Sequence, residues 1–325
     1  MSKIFITGGA GFIGYFIARE LLSIGDKVVI YDAFLNYANP FASHYNEYLK
    51  FRLDNLKGRA VIIRGDVRNK NELFRAIVEH KPDIIVHLAA LPIATASNRF
   101  SEDAMSINLN GTVNVLESIR LVPSVKRFVY ASSSMVYGNF EYIPADEEHP
   151  KKPLDVYGAT KKAGELLTRA YTRQYGIQHT IIRPSAVYGP TDANLRVSQI
   201  FVDNALQGKA LILHNGGSSK LDFSFVEDVA HGFVLAMKSK KAVNQTFNIT
   251  RGEGRSLREF VDILKQHIPN IKVKYKERPK SEKRPERGAL DISKARKLLG
   301  YNPQFSLEKG IEKYIDFVRR IGVVK

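Results

Sequence analysis

Tyr157 and Lys161 stand four residues apart in Tyr157-Gly158-Ala159-Thr160-Lys161, within a segment of helical period. Residues at that spacing share one helix face, so an ammonium can sit beside a phenol hydroxyl. Such a neighbour lowers a tyrosine pKa from about 10 toward working pH and makes the phenol a general base. Tyr and Lys four apart are common on helix surfaces. Chemical meaning comes from the hydroxyl cluster Ser132-Ser133-Ser134, just past the apolar run Arg127 to Ala131. A serine hydroxyl there can share the same substrate proton.

A second constellation is Thr7-Gly8-Gly9-Ala10-Gly11-Phe12-Ile13-Gly14, which opens from one apolar run into a segment of helical period. Gly8, Gly11 and Gly14 permit a tight turn, approach of a pyrophosphate to bare backbone N–H groups, and close packing of helix on sheet. Asp32 ends the next apolar run, 18 positions beyond Gly14. A carboxylate there accepts hydrogen bonds from ribose hydroxyls and repels a 2′-phosphate, which favours NAD over NADP. Ala33 and Phe34 supply no Arg to hold that extra phosphate. Asp66, in Gly65-Asp66-Val67, has two readings: a contact to the adenine edge, or a helix start.

These residues need a scaffold, and the pattern supplies one. Lys3 to Thr7, Lys27 to Tyr31, Ala60 to Arg64, Asp83 to Leu88, Arg127 to Ala131 and His179 to Arg183 read as strands rich in Val and Ile. Between them Phe12 to Ile24, Asn71 to His80, Asp103 to Arg120 and Tyr157 to Tyr175 read as amphipathic helices. Alternation of this kind predicts an α/β fold with a doubly wound parallel sheet of Rossmann type. After Pro190 the elements become smaller and mixed, with helices at Val197 to Gln207, Leu257 to Gln266 and Leu307 to Arg319 and a charged loop at Lys276 to Arg287. The expected organisation is a nucleotide-binding core over 1–190, joined by returning segments near 222–250, and a smaller cap formed mainly by 191–325.

The chain has 325 residues, 44% hydrophobic and 25% charged, enough apolar material for a large core. It contains no cysteine, which excludes disulfides, thiolate nucleophiles, Cys-based zinc sites and iron–sulfur clusters. The first apolar run is too short for a signal-peptide core, and no stretch reaches the roughly 20 apolar residues of a membrane span. A cytoplasmic protein is expected, with no membrane partner. The formal charge is +16, and from Lys238 onward 23 Lys+Arg face 10 Asp+Glu. A solvated basic surface and an electrostatic funnel for a pyrophosphate both fit that bias. Nucleic-acid binding fits it poorly, because the basic residues are dispersed among acids with no aromatic-rich RNA motif.

Taken in order, the motifs resemble the extended short-chain dehydrogenases/reductases, the superfamily of NAD-dependent sugar-nucleotide epimerases and dehydratases. The resemblance runs through Thr7 to Gly14, His87-Leu88-Ala89-Ala90, Asn108 with Gly111-Thr112, Ser133 with Val136-Tyr137-Gly138, and Tyr157 with Lys161. It continues through Arg183-Pro184 with Val187-Tyr188-Gly189-Pro190, then Asp222-Phe223 with Val226 and Asp228-Val229. It implies catalysis by Ser133, Tyr157 and Lys161, with Lys161 also on the nicotinamide ribose. It further implies an NAD site built from Gly8, Gly11, Phe12, Ile13, Gly14, Asp32, Asp66, Val67, Leu88, Ala89, Ala90, Asn108 and Pro184 beside Tyr157 and Lys161. A nucleotide-sugar substrate follows, as does a homodimer through the helices around Asp103 to Arg120 and Tyr157 to Tyr175.

Within that superfamily, 4,6-dehydratases carry an Asp-Glu pair directly after the catalytic Ser/Thr, where this chain has Ser134 and Met135. Methionine transfers no proton and serine is a poor base, so a 4-epimerase is favoured over a dehydratase or decarboxylase. A keto-sugar reductase is a further alternative, disfavoured by Asp32, and a non-catalytic NAD sensor or scaffold belongs to a different class. Ala186 and Leu221 replace the usual Asn and Arg contacts to the substrate diphosphate. Arg196, Lys220 and Arg284 are the candidates to replace them, with Ser133 and Ser134 on the sugar. His87 is expected to pack at a strand end, and His149 and His214 to lie on the surface. No metal site is expected.

Overall fold

The computed structural model describes residues 1–36, 43–279 and 284–322. Seven strands form one parallel sheet: β1 (Lys3–Thr7), β2 (Lys27–Asp32), β3 (Val61–Arg64), β4 (Ile84–His87), β5 (Arg127–Ala131), β6 (His179–Arg183) and β7 (Gln245–Asn248). Their order is β7-β6-β5-β4-β1-β2-β3. Chain order reverses between β1 and β4, so a crevice opens beyond the carboxyl ends of those strands, where such sheets bind ligands. The catalytic motifs follow β1, β2, β4 and β5 at that edge.

The main helices are α1 (Phe12–Ser23), α2 (Ser43–Leu56), α3 (Lys70–His80), α4 (Gly111–Leu121), α5 (Val156–Tyr175), α6 (Val197–Leu206), α7 (Val226–Lys238), α8 (Leu257–His267) and α9 (Leu307–Ile321), and α1, α3, α4 and α7 are among those that cover the two sheet faces. One core cluster joins Ile4, Ile6, Val28 and Ile30 of the sheet to Phe16 and Ile17 of α1 and Phe233 of α7. Phe5, Val29, Ile85 and Phe128 point to the other face, against Leu73 of α3 and Leu116 of α4. Alternate residues of a strand face opposite ways, so strands buried on both faces read as continuous apolar runs. A further cluster, with Phe201, Phe260, Ile311 and Tyr314, lies under α6, α8 and α9.

Two findings differ from the sequence expectations. Asp103 to Arg120 is not one regular helix: Met105–Asn110 winds as a π-helix before α4. His149 is fully buried rather than on the surface. Its Nδ1 donates to the Pro150 carbonyl at 2.9 Å, its Nε2 accepts from the Glu141 N–H at 2.8 Å, and its ring packs on Tyr142. Both ring nitrogens are satisfied by backbone, which is what lets an imidazole leave water. His214 stays partly exposed. Part of the charged loop expected at Lys276 to Arg287 lies outside the described residues; β-structure over Val273–Lys276 precedes it.

The C-terminal segments are tied together by Asp222, which is fully buried. Its carboxylate accepts from the Thr250 hydroxyl at 3.0 Å and from the N–H groups of Arg251 and Leu290 at 3.1 and 3.0 Å. Asp228 does the same for Gln304 and Phe305.

Candidate active site

Helix α1 begins at Gly11, with no side-chain cap and no acidic residue in its first turn. Its orphan N–H groups and positive dipole end therefore remain available to an anion. Gly8 holds φ at +70°, and a Cβ there would lie 2.7 Å from the Ala89 nitrogen. At Gly14 a Cβ would meet the Gly8 carbonyl oxygen at 2.3 Å. These glycines let the turn close onto the β4 end and let α1 start directly on it.

A cleft runs over this turn. Gly8, Gly11, Phe12, Ile13 and Gly14 form its floor, Asp32, Asp66 and Val67 one end, and Leu88, Ala89 and Ala90 the other. The Asp32 carboxylate also braces the turn, accepting from the Ala10 N–H at 3.0 Å and the Phe34 N–H at 2.8 Å. Burial raises its pKa, and those two N–H groups oppose the rise. Asp66 carries an ion pair from Arg68 at 2.7 Å; burial acts to raise its pKa, and the Arg68 hydrogen bonds outweigh that and lower it. An uncapped helix N-terminus, a floor with no room for Cβ atoms and an acidic strand end fit a dinucleotide.

Asn108 and Pro184 are tied into the backbone around the cleft. The Asn108 side chain is buried, with Oδ1 accepting from the Leu91 N–H at 2.7 Å and Nδ2 donating to the Thr160 hydroxyl at 3.1 Å. It thereby fixes the segment after Ala90 against α5, from within the π-helical turn. The Pro184 carbonyl accepts from Ser134 N–H at 3.0 Å and anchors the serine loop.

The structure brings Ser133, Tyr157 and Lys161 together. Asp155 caps α5 through the Gly158 N–H at 2.7 Å, placing Tyr157 in the first turn. The Ser133 hydroxyl comes close enough to the Tyr157 phenol to favour its ionised form. The expected lowering of the Tyr157 pKa by Lys161 is not what the geometry gives. Burial raises the Tyr157 pKa, and the opposing groups are Arg196 and Ser133. Lys161 instead donates to the Ala131 carbonyl at 2.8 Å, with its ammonium 5.9 Å from the Tyr157 ring centroid. Burial pushes Lys161 down to about 7.

One turn further along α5, Glu165 is buried and paired with Arg183 at 2.6 Å, and it accepts from the Ser132 hydroxyl at 2.6 Å. This pair, absent from the sequence expectations, holds the strand end that carries the serine loop. The Ser134 hydroxyl donates to the Ser185 hydroxyl at 3.0 Å. His87 is buried between the Thr7 and Thr112 hydroxyls at 2.7 and 3.0 Å, and burial pushes it down to about 3, so it stays neutral.

The three candidate phosphate cations separate. Arg196 lines the dinucleotide cleft, 5.5 Å over the Phe12 ring and ion-paired with Asp192 at 2.6 Å. Lys220 is exposed on a short strand paired with Arg255–Ser256, away from that cleft. Arg284 is exposed on the segment that runs beside Asn139 and Phe140, where the Glu286 carbonyl accepts from the Phe140 N–H at 2.8 Å. On that segment Arg287, which sequence reasoning missed, is pushed down to about 10 by burial against the attraction of Asp155.

Residues 5–314 match the family model described as GDP-mannose 4,6 dehydratase. A putative UDP-glucose 4-epimerase of Methanocaldococcus jannaschii is 33% identical over 97% of this chain and 98% of that protein. The UDP-glucuronic acid 4-epimerase of Bacillus cereus, crystallised with UDP-glucuronic acid and NAD, superposes with a TM-score of 0.89 at 28% identity over 98% and 99% of the two chains. The UDP-glucose 4-epimerase of Thermotoga maritima, crystallised with UDP-glucose, gives 0.86 at 28% identity over 98% and 99%. With the glycine turn, the Ser133–Tyr157 contact and these likenesses in place, the chain belongs to the NAD-dependent sugar-nucleotide epimerase and dehydratase family of the extended short-chain dehydrogenases/reductases.

Proposed function

We propose that this protein, an NAD-dependent sugar-nucleotide epimerase, acts at C4 of its sugar and forms no dehydrated product. The observation that carries the reading is the serine loop itself, which puts Ser133 beside Tyr157 and places no proton-transferring acid or base at the next two positions, Ser134 and Met135. Tyr157 accepts the proton of the 4-hydroxyl, Ser133 steadies the oxygen, and Lys161 helps fix the geometry through Ala131. Bound NAD supplies the acceptor for the C4 hydride and the donor that returns it. After the keto-sugar turns over in the pocket, Tyr157 gives the proton back. Epimerisation needs no further acid or base. A 4,6-elimination needs two, and Ser134 and Met135 supply neither.

Segment 191–325, acting mainly as the cap, would hold the nucleotide diphosphate through Arg284 and Arg287. The names of similar proteins favour a UDP-sugar. Met105, Leu121, Leu166 and Tyr175 are about half exposed on the π-helix, α4 and α5. Such an apolar face supports the expected homodimer through these helices. Among the described residues no helix is long and apolar enough to cross a membrane; the cytoplasmic assignment rests on the sequence. Incubation with UDP-, GDP-, CDP- and dTDP-sugars, read by mass spectrometry and proton NMR, tests the reading. Unchanged mass with a new H4 coupling is expected; loss of one water would overturn it.

A further inference from the structure

Arg52 projects from α2 into the interior and is only 2% exposed. Among the described residues no carboxylate pairs with it directly, and Asp32 and Asp192 attract it from further off. Nη1 donates to the Thr191 carbonyl at 2.9 Å, and Nε is buried with no acceptor. Burial opposes its charge more strongly than these neighbours support it, and an anion that meets it directly offsets that cost. The same side chain lines the cleft that contains Gly11 and Gly14.

Arg196 lines that cleft from the other side of the chain, over Phe12 of the glycine turn. The two arginines are linked through one strap. Arg52 holds Thr191, Asn36 Nδ2 donates to the Ala193 carbonyl at 3.0 Å, and Arg196 pairs with Asp192. Asn36, helix α2 and residues 191–196 therefore lie over the glycine turn together. We propose that Arg52, together with Arg196, holds the diphosphate of the bound dinucleotide from the side opposite the α1 N-terminus. This rests on the dinucleotide occupying the cleft as described above. The diphosphate is favoured over a ribose 2′-phosphate because Asp32, bonded to the Ala10 and Phe34 N–H groups, keeps a carboxylate at the ribose end.

The test compares wild type with Arg52→Met and Arg196→Met, freed of dinucleotide, by thermal melting and by titration with NAD, NADP and ADP-ribose. Without ligand, Arg52→Met should melt at or above wild type, because an apolar side chain replaces a buried ion that no carboxylate contacts directly. Its affinity for NAD and for ADP-ribose should fall at least tenfold, with the NAD-to-NADP ratio unchanged, and Arg196→Met should show the same loss for both ligands. A lower ligand-free melting point with NAD affinity intact would make Arg52 a structural strut and overturn the proposal. A changed NAD-to-NADP ratio with NAD affinity intact would place Arg52 at the ribose end and overturn it equally. If Arg52→Met loses both stability and affinity, or fails to fold, Arg52→Lys decides: restored NAD affinity supports the diphosphate contact, and no restoration rejects it. A wild type that shows no gain from NAD would instead reject the cofactor cleft itself.

Discussion

The Lys161 ammonium donates to the Ala131 carbonyl, 2.8 Å away at the end of β5, and so ties the catalytic helix to the strand that carries Ser133. Burial lowers its pKa to about 7, whereas the unfolded chain keeps the ordinary value of 10.5. Between those values the unfolded chain binds the extra proton, so the penalty is complete below pH 7 and fades as pH rises toward 10.5. Without NAD, Lys161→Met should therefore be more stable than wild type at pH 6, with the gap narrowing by pH 10. Urea unfolding at both values checks this; a gap that widens with pH would contradict it.

Tyr157→Phe keeps the ring and removes the hydroxyl beside Ser133. Turnover should fall by about 10²- to 10⁴-fold, the usual share of a positioned acid–base group. NAD affinity should hold within a factor of about 3, since the ring remains in place. Steady-state kinetics with parallel NAD titration separates the two effects, and unchanged turnover would remove Tyr157 from the mechanism.

Asp32→Ala leaves the Ala10 and Phe34 N–H groups without their acceptor. Stability should drop by about 1–3 kcal/mol, and the preference for NAD over NADP should relax as the repelling carboxylate disappears. Denaturant melts and titrations with both dinucleotides report these together. A stability loss with an unaltered preference would assign Asp32 to bracing the turn alone.

Glu165→Gln strips the buried charge from Arg183 and weakens the hold on Ser132. Removing one partner of a buried pair costs about 3–5 kcal/mol. The variant should unfold at much lower urea, and a loss under about 1 kcal/mol would mean the pair behaves like a surface one.

The sheet is legible because its strands are buried on both faces and so appear as unbroken runs such as Ile4 to Ile6 and Ile84 to Val86. The glycine turn and the Ser133, Tyr157 and Lys161 set carry their own spacing. Helix α2 does not show itself, because its buried side of Tyr48, Arg52 and Leu56 includes an arginine and its period is broken for any apolar count. Arg52 and Arg287 are invisible for a related reason: among 49 basic residues, nothing in the sequence marks the few that the fold draws inward. Helical spacing brings Lys161 near Tyr157 but does not reveal that the ammonium turns to Ala131. His149 is misplaced by the sequence because backbone acceptors and donors, not sequence patterning, satisfy its ring.

The most direct test of hydride removal and return at C4 is turnover of a sugar nucleotide carrying deuterium at C4, followed by NMR and mass spectrometry. Full retention of the label at C4 of the epimer, with no water lost and no exchange from solvent, is the result this mechanism requires. Label appearing at C6 of a lighter 4-keto product, or washing out into solvent, would contradict it.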